Sequence, residues 1–234
     1  MCLFCLCSTL FAEREEVQRV YLASYPRCGN TWTRHMIETA VNRTTFCPVR
    51  ANPILIEDFG RGFHHPHGFR GKAECPKEGE PFIVKTHYFA HLPGPYDCLP
   101  YKKTIRLIRH PVDSFYSHYI HHQKRLKLPV EDSIPRDFLC HCIAKWRRFQ
   151  EHWDRQENVI TIRYEDLLKA PDYYLRIILD AAGYEFTEED IYRAVSEYPP
   201  EGEPLKHLFR YTKEDLLVIQ NGLSSLMAKY GYAI

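Results

Sequence analysis

Several side chains capable of chemistry sit just past short apolar runs. The first group is Tyr25-Pro26-Arg27-Cys28-Gly29-Asn30-Thr31-Trp32-Thr33, a tight loop running into a helical pattern with Met36, Ile37 and Ala40 on one face. A helix start presents unpaired N–H groups and the positive end of a dipole, a natural seat for a phosphate-like anion. Gly29 lets the backbone approach such an anion, and Arg27 adds a fixed cation with fork geometry. The loop lacks G-x-x-x-x-G-K-[ST], so it does not read as a nucleotide triphosphatase or P-loop kinase. Lys85 and His87 are two residues apart on a strand-like run, so both face one side while Thr86 faces the other. A neutral histidine there can take an alcohol's proton while a lysine stabilises a departing oxyanion. The lysine's charge should also hold that histidine neutral. Arg109 and Ser117 stand eight residues apart, about two helical turns, and can grip a second phosphate from two sides. Asp113 between them reads as a cap at the positive end of its helix. Tyr164-Glu165-Asp166 follows a fourth apolar run. Together these residues describe an anion site with a base in it.

Elements must bring them together. Four compact apolar runs, 20–24, 82–86, 104–108 and 159–163, read as buried parallel strands, and helical patterns alternate with them. Residues 138–153 place Phe138, Cys142, Trp146, Phe149 and Trp153 on one helix face. Thr187 with Asp190, and Thr212 with Asp215, read as capping boxes opening two more helices. The last carries Leu216, Ile219, Leu223, Leu226 and Tyr230 before Gly231. The alternation predicts a single α/β domain, a parallel sheet flanked by helices. In open parallel sheets ligands bind at the carboxyl ends of the strands, which is where every chemical group named above falls. The long irregular stretch 47–81 is the candidate acceptor-binding region.

Taken together, Tyr-Pro-Arg-Cys-Gly-Asn-Thr-Trp (25–32), Lys-Thr-His (85–87), Arg109 with Ser117, and Arg-Tyr-Glu-Asp-Leu (163–167) resemble the sulfotransferase family in order and spacing. Residues 211–217 resemble its terminal helix. The resemblance implies a P-loop NTPase-like sulfotransferase fold over residues 18–234. It also implies 3′-phosphoadenosine 5′-phosphosulfate (PAPS) as co-substrate, without a metal. Arg27, Cys28, Gly29, Asn30, Thr31 and Trp32 would bind the 5′-phosphosulfate end. His87 would take the acceptor's proton and Lys85 would stabilise the transferring group. Arg109 and Ser117 would hold the 3′-phosphate, and Tyr164 would contact the nucleotide. Three departures stand out. Cys28 replaces a small or hydroxyl residue and adds an oxidisable thiol. His110 stands where asparagine is frequent. The basic, glycine-containing segment near the C-terminus is missing, and 199–211 offers only Lys206, His207 and Arg210 in its place. That loss supports a second reading, a catalytically silent nucleotide-binding or interaction protein on the same fold. Residues 22–26 with 29–35 are similar to Golgi carbohydrate sulfotransferases that carry a WSC domain. This favours a glycan hydroxyl over a phenol or steroid as the acceptor alcohol, and a Golgi location in preference to the cytoplasm.

Composition narrows the rest. The chain has 234 residues and a net charge of +1, so no general attraction to nucleic acid is expected and an anion site must be local. No stretch reaches the ~18 apolar residues of a membrane span, and residues 1–17 form an apolar tail through which alone a membrane contact is expected. Nine cysteines cannot all pair, and Asn42-Arg43-Thr44 is a glycosylation sequon. His64, His65 and His67 with Cys75, and the run 140–142, do not match paired zinc-ligand spacing, so no metal is expected. His118, His121 and His122 read as a solvated helix face.

Overall fold

The computed structural model describes residues 18–43, 45, 81–87 and 103–234. The tail 1–17, the histidines at 64–67 and the candidate acceptor region 47–81, apart from Pro81, lie outside the described residues. Four strands form one parallel sheet: β1 (Gln18–Ser24), β2 (Pro81–Thr86), β3 (Lys103–Ile108) and β4 (Val159–Arg163), in the order β2-β1-β3-β4. Thr104 to Ile108 of β3 are all buried, as expected of a strand covered on both faces. The registers Ala23↔Thr86, Ser24↔Leu107 and Ile108↔Arg163 align the carboxyl ends on one edge. That edge is where the Tyr25 loop, His87, Arg109 and Tyr164 emerge.

The helices follow from local signals. α1 (Asn30–Val41) starts directly after Gly29, buries Met36, Ile37 and Ala40, and stops at Asn42 in the left-handed conformation. α2 (Pro111–Leu126) opens with Pro111 at its first turn, where a missing N–H costs nothing. Its N-cap is His110, whose side chain accepts from the Val112 N–H, which is the use this chain makes of a histidine at that position. α3 (Arg136–Asp154) buries Cys142, Trp146, Phe149 and Trp153, while Phe138 is only half-buried against His118 and Tyr119. The short α4 (Tyr164–Lys169) and α5 (Pro171–Ala182) follow β4. α6 (Glu188–Glu197) and α7 (Lys213–Lys229) both open with complete capping boxes from the predicted Thr and Asp pairs. α1 packs with α5 and α6, and α3 packs with α2 and α7. Tyr230, just past α7, meets the buried Arg106 of β3, which also bonds Asp154 and Thr161, tying α3, β4 and the C-terminal end to the sheet. Among the described residues, no helix is long and apolar enough to cross a membrane.

Candidate active site

The loop between β1 and α1 is held from below. Gly29 has φ 88°, and a Cβ there would lie 2.5 Å from Cδ2 of Tyr164, so only glycine lets that ring pack beneath the turn. The first helical bond runs from the Thr33 N–H to the Gly29 carbonyl, leaving the N–H groups of Asn30, Thr31 and Trp32 without intrahelical acceptors. Neither a capping side chain nor an acidic residue competes for them in that turn. The backbone therefore offers the predicted anion cradle, but the side chains divide. Asn30 is buried and donates to the Leu22 carbonyl and Ser24 Oγ, strapping the loop to β1. The Trp32 indole N–H donates to the Tyr198 carbonyl at 2.9 Å. Cys28 is fully buried, and burial pushes its thiol up to about 12, so the oxidisable thiol expected from sequence is a packed, inert one. Thr31 stays half-buried in the first turn and Arg27 is exposed.

His87 leaves β2 beside the loop. Its Nδ1 lies 2.7 Å from the Ser24 carbonyl oxygen, which can only accept, so Nδ1 carries the hydrogen and Nε2 keeps its lone pair. Burial, more than Lys85, lowers its pKa to about 3, with smaller contributions from His118 and Arg34; the Ser24 carbonyl opposes them. Lys85, the cause that the spacing suggests, contributes less than burial. The larger cause is desolvation, which a strand pattern does not reveal. Lys85 and His87 are both half-buried while Thr86 is buried, as the alternation requires.

Arg109 joins loop and sheet edge. Its Nη1 donates to the Arg27 carbonyl at 3.0 Å and its guanidinium lies 4.5 Å above the Tyr164 ring. Asp113 is 3.8 Å away, and Nε is buried with no partner. Ser117 Oγ accepts from Arg27 Nε at 3.1 Å, so Arg27, Arg109 and Ser117 form one cluster. Asp113 lies in the first turn of α2, at its positive end as expected, but the side-chain cap is His110 and the Asp113 carboxylate bonds outside the helix. Its two oxygens accept from the N–H groups of Leu205 (2.7 Å) and His207 (3.1 Å), pinning the 199–211 segment to the site. Lys206 is exposed, whereas Arg210 pairs with Asp132 and stacks on Phe209 and Tyr116. Tyr164 acts as the platform: Gly29, Arg109 and Trp32 all rest against its ring, and its hydroxyl donates to the Glu201 carbonyl.

Sequence reasoning passed over Glu165, although it lies in the quoted 163–167 motif. It accepts from the His110 N–H and the Tyr232 hydroxyl, fixing the turn after Arg109. His118 is also misplaced by the solvated-face reading: it packs under the loop, 3.0 Å from the Tyr25 hydroxyl, while His121 and His122 are exposed. Among the described residues, no group of three or more His, Cys, Asp or Glu is arranged to hold a metal, and Cys142 is buried on α3 while Cys140 is exposed.

Comparisons with known proteins bear on the family and the fold. The chain is 26% identical over 223 residues to cytosolic sulfotransferase 16 of Arabidopsis thaliana, covering 82% of this chain and 62% of that protein. It is 26% identical over 199 residues to flavonol 4′-sulfotransferase of Flaveria chlorifolia, covering 76% and 59%. The chain thus spans about three-fifths of the length of these relatives. Its fold is similar to that of mouse sulfotransferase SULT7A1 complexed with PAP, the desulfated 3′,5′-bisphosphate (TM-score 0.59, 16% identity, 96% of this chain and 88% of that one). A retinol dehydratase in complex with androsterone and PAP gives a TM-score of 0.58 at 18% identity, over 96% and 85%. The sulfotransferase-domain model matches residues 18–198, and the chain belongs to the sulfotransferase family.

Proposed function

We propose that this chain transfers the sulfuryl group of PAPS to the hydroxyl of a small acceptor. The observation that carries this reading is the pairing of His87, fixed with Nε2 unprotonated, with the uncapped helix-start N–H groups of α1 at the same sheet edge. The residues fit a multiply charged nucleotide: helix-start N–H groups, an unpartnered buried Arg109 Nε, and the exposed Arg27. The N–H groups of Asn30, Thr31 and Trp32 receive the 5′ end, and Arg109 with Ser117 receives the 3′-phosphate. Lys85 stabilises charge on the oxygen that leaves sulfur. His87 accepts the acceptor proton at Nε2 as the new O–S bond forms and the S–O bond to the 5′-phosphate breaks. Positioning and charge stabilisation supply most of the catalysis, as in phosphoryl transfer. No step calls on a metal. The relatives named for flavonols, and the androsterone complex, favour a small hydroxyl compound over a glycan as acceptor. A Golgi placement rests only on the motif similarity and the tail, and fractionation of the full chain tests it.

The test is release of PAP from PAPS in the presence of a panel of phenols, sterols, flavonols and sugars. Wild type should turn over at least one acceptor, and His87→Ala should lower that rate by about 10²–10⁴-fold. Normal turnover in His87→Ala removes the assigned base. Nucleotide binding with no transfer to any acceptor favours the silent reading.

A further inference from the structure

Apart from the sheet edge, a cleft of about 430 Å³ opens between the middle of α2, the turn that follows it and the segment leading into α7. None of Arg27, Lys85, His87, Arg109, Ser117 or Tyr164 lines it. Its volume falls within the ~300–1,000 Å³ of small-molecule sites. Hydrogen bonds fix its walls. The Tyr116 hydroxyl donates to the Glu131 carbonyl at 2.9 Å, holding the turn against α2. On the other side Asp113 holds the Leu205 and His207 N–H groups, and the Tyr211 hydroxyl donates to the Val112 carbonyl at 2.7 Å. The cleft is therefore pre-formed.

Apolar surface and spare positive charge meet inside it. Phe209 is 74% exposed and Val130 40%, and Ile120 adds a half-buried aliphatic face. The Arg210 guanidinium lies 4.5 Å from the Phe209 ring centre and 5.6 Å from that of Tyr116. Its Nη1 meets Asp132, but its Nε is buried with no partner. Lys124 and Lys206 are exposed and make no ion pair among the described residues. Three cations thus face two carboxylates, Glu131 and Asp132, while His207, whose pKa burial lowers, adds no charge at pH 7. One positive charge is left over.

We infer that this cleft is a second binding site, for a small aromatic monoanion such as an arene carboxylate, whose ring lies against Phe209, Val130 and Ile120 and whose acid group reaches Lys124 and Lys206. A single surplus charge suits a monoanion and not the several charges of a nucleotide bisphosphate, so the cleft does not duplicate the nucleotide edge. A flat ring is favoured over an alkyl chain because Phe209 offers an aromatic surface, and aromatic pairs gain beyond the area they bury. The inference goes beyond the sulfuryl-transfer reading and does not depend on it.

The experiment is isothermal titration of the full chain with 2-naphthoate and with the uncharged 2-naphthamide. It compares wild type, the double variant Lys124→Gln/Lys206→Gln, Phe209→Ser and Arg109→Ala. The substituted cleft side chains are exposed, so the fold should stand, and equal thermal midpoints check this. Wild type should bind 2-naphthoate more tightly than 2-naphthamide. The double lysine variant should weaken 2-naphthoate about tenfold and leave 2-naphthamide unchanged. Phe209→Ser should weaken 2-naphthoate about tenfold, and Arg109→Ala should leave it as in wild type. The inference fails if wild type binds no 2-naphthoate, or if the lysine and Phe209 variants bind it as wild type does. Loss of binding in Arg109→Ala would send the anion to the nucleotide edge and overturn the inference. Affinity that falls as chain concentration rises would seat a second copy on the cleft and overturn it as well.

Discussion

Arg106 and Arg109 lie three residues apart at the end of β3, and both are buried, at 4% and 6% exposure. Arg106 has its donors engaged: Nη1 meets Asp154 at 2.9 Å, the Gln150 carbonyl and the Tyr230 hydroxyl, and Nε and Nη2 both meet Thr161. Arg109 has one carbonyl, a carboxylate at 3.8 Å, an aromatic face and an Nε with nothing. Burial alone does not separate a structural cation from a functional one. The unmet Nε together with its place at the carboxyl edge of the sheet does, because a buried donor without an acceptor there is one that a ligand of the edge can satisfy. Arg106 holds the sheet to α3 and the C-terminal end; Arg109 waits at the edge where ligands of parallel sheets bind.

That contrast can be broken by mutation. Arg106→Met should cost about 3 kcal/mol in urea unfolding, since it opens a buried pair, whereas Arg109→Ala should cost about 1 kcal/mol. Equal costs would dissolve the distinction. Gly29→Ala should cost about 2 kcal/mol through its left-handed φ and the clash with Tyr164, and should abolish nucleotide binding along with it. Asp113→Asn leaves a single accepting oxygen for two backbone N–H groups, so about 1 kcal/mol and a modest part of the nucleotide affinity should be lost. The smallest effect should come from pH. With His87 titrating at about 3, turnover should vary less than about twofold between pH 8 and 6. The sign for stability is separate. His87 is neutral when folded but charges near pH 6.5 when unfolded, so it adds no penalty above that pH and an increasing one as pH falls from 6.5 towards about 3. His118, lowered to about 4 by burial and then Lys145, acts in the same direction.

Local pattern made much of this legible. Apolar runs bounded by polar residues located all four strands, and Thr–Asp pairs three apart located two helix starts to the residue. The carboxyl-edge rule then placed Arg27, His87, Arg109 and Tyr164 at one site. What escaped were contacts between segments far apart in sequence. Asp113 is the helix-end acid that its neighbours suggest, but the backbone groups it holds are 92 and 94 positions away. Cys28 reads as an oxidisable thiol but is fully buried, and His118 reads as solvated, as its neighbours at 121 and 122 are. Burial by a remote element leaves no periodicity to read, and neither does a hydrogen bond such as that of Trp32 to Tyr198.

The most direct measurement is thermal unfolding with adenosine 3′,5′-bisphosphate, for wild type and Arg109→Ala, with ATP as control. At ~100 times its dissociation constant the bisphosphate should stabilise wild type by ~2.7 kcal/mol, a midpoint rise of about 5–10 °C for a chain of this length. That rise is expected in wild type, with little for ATP and none in Arg109→Ala. An equal rise in Arg109→Ala, or no rise in wild type, would contradict it.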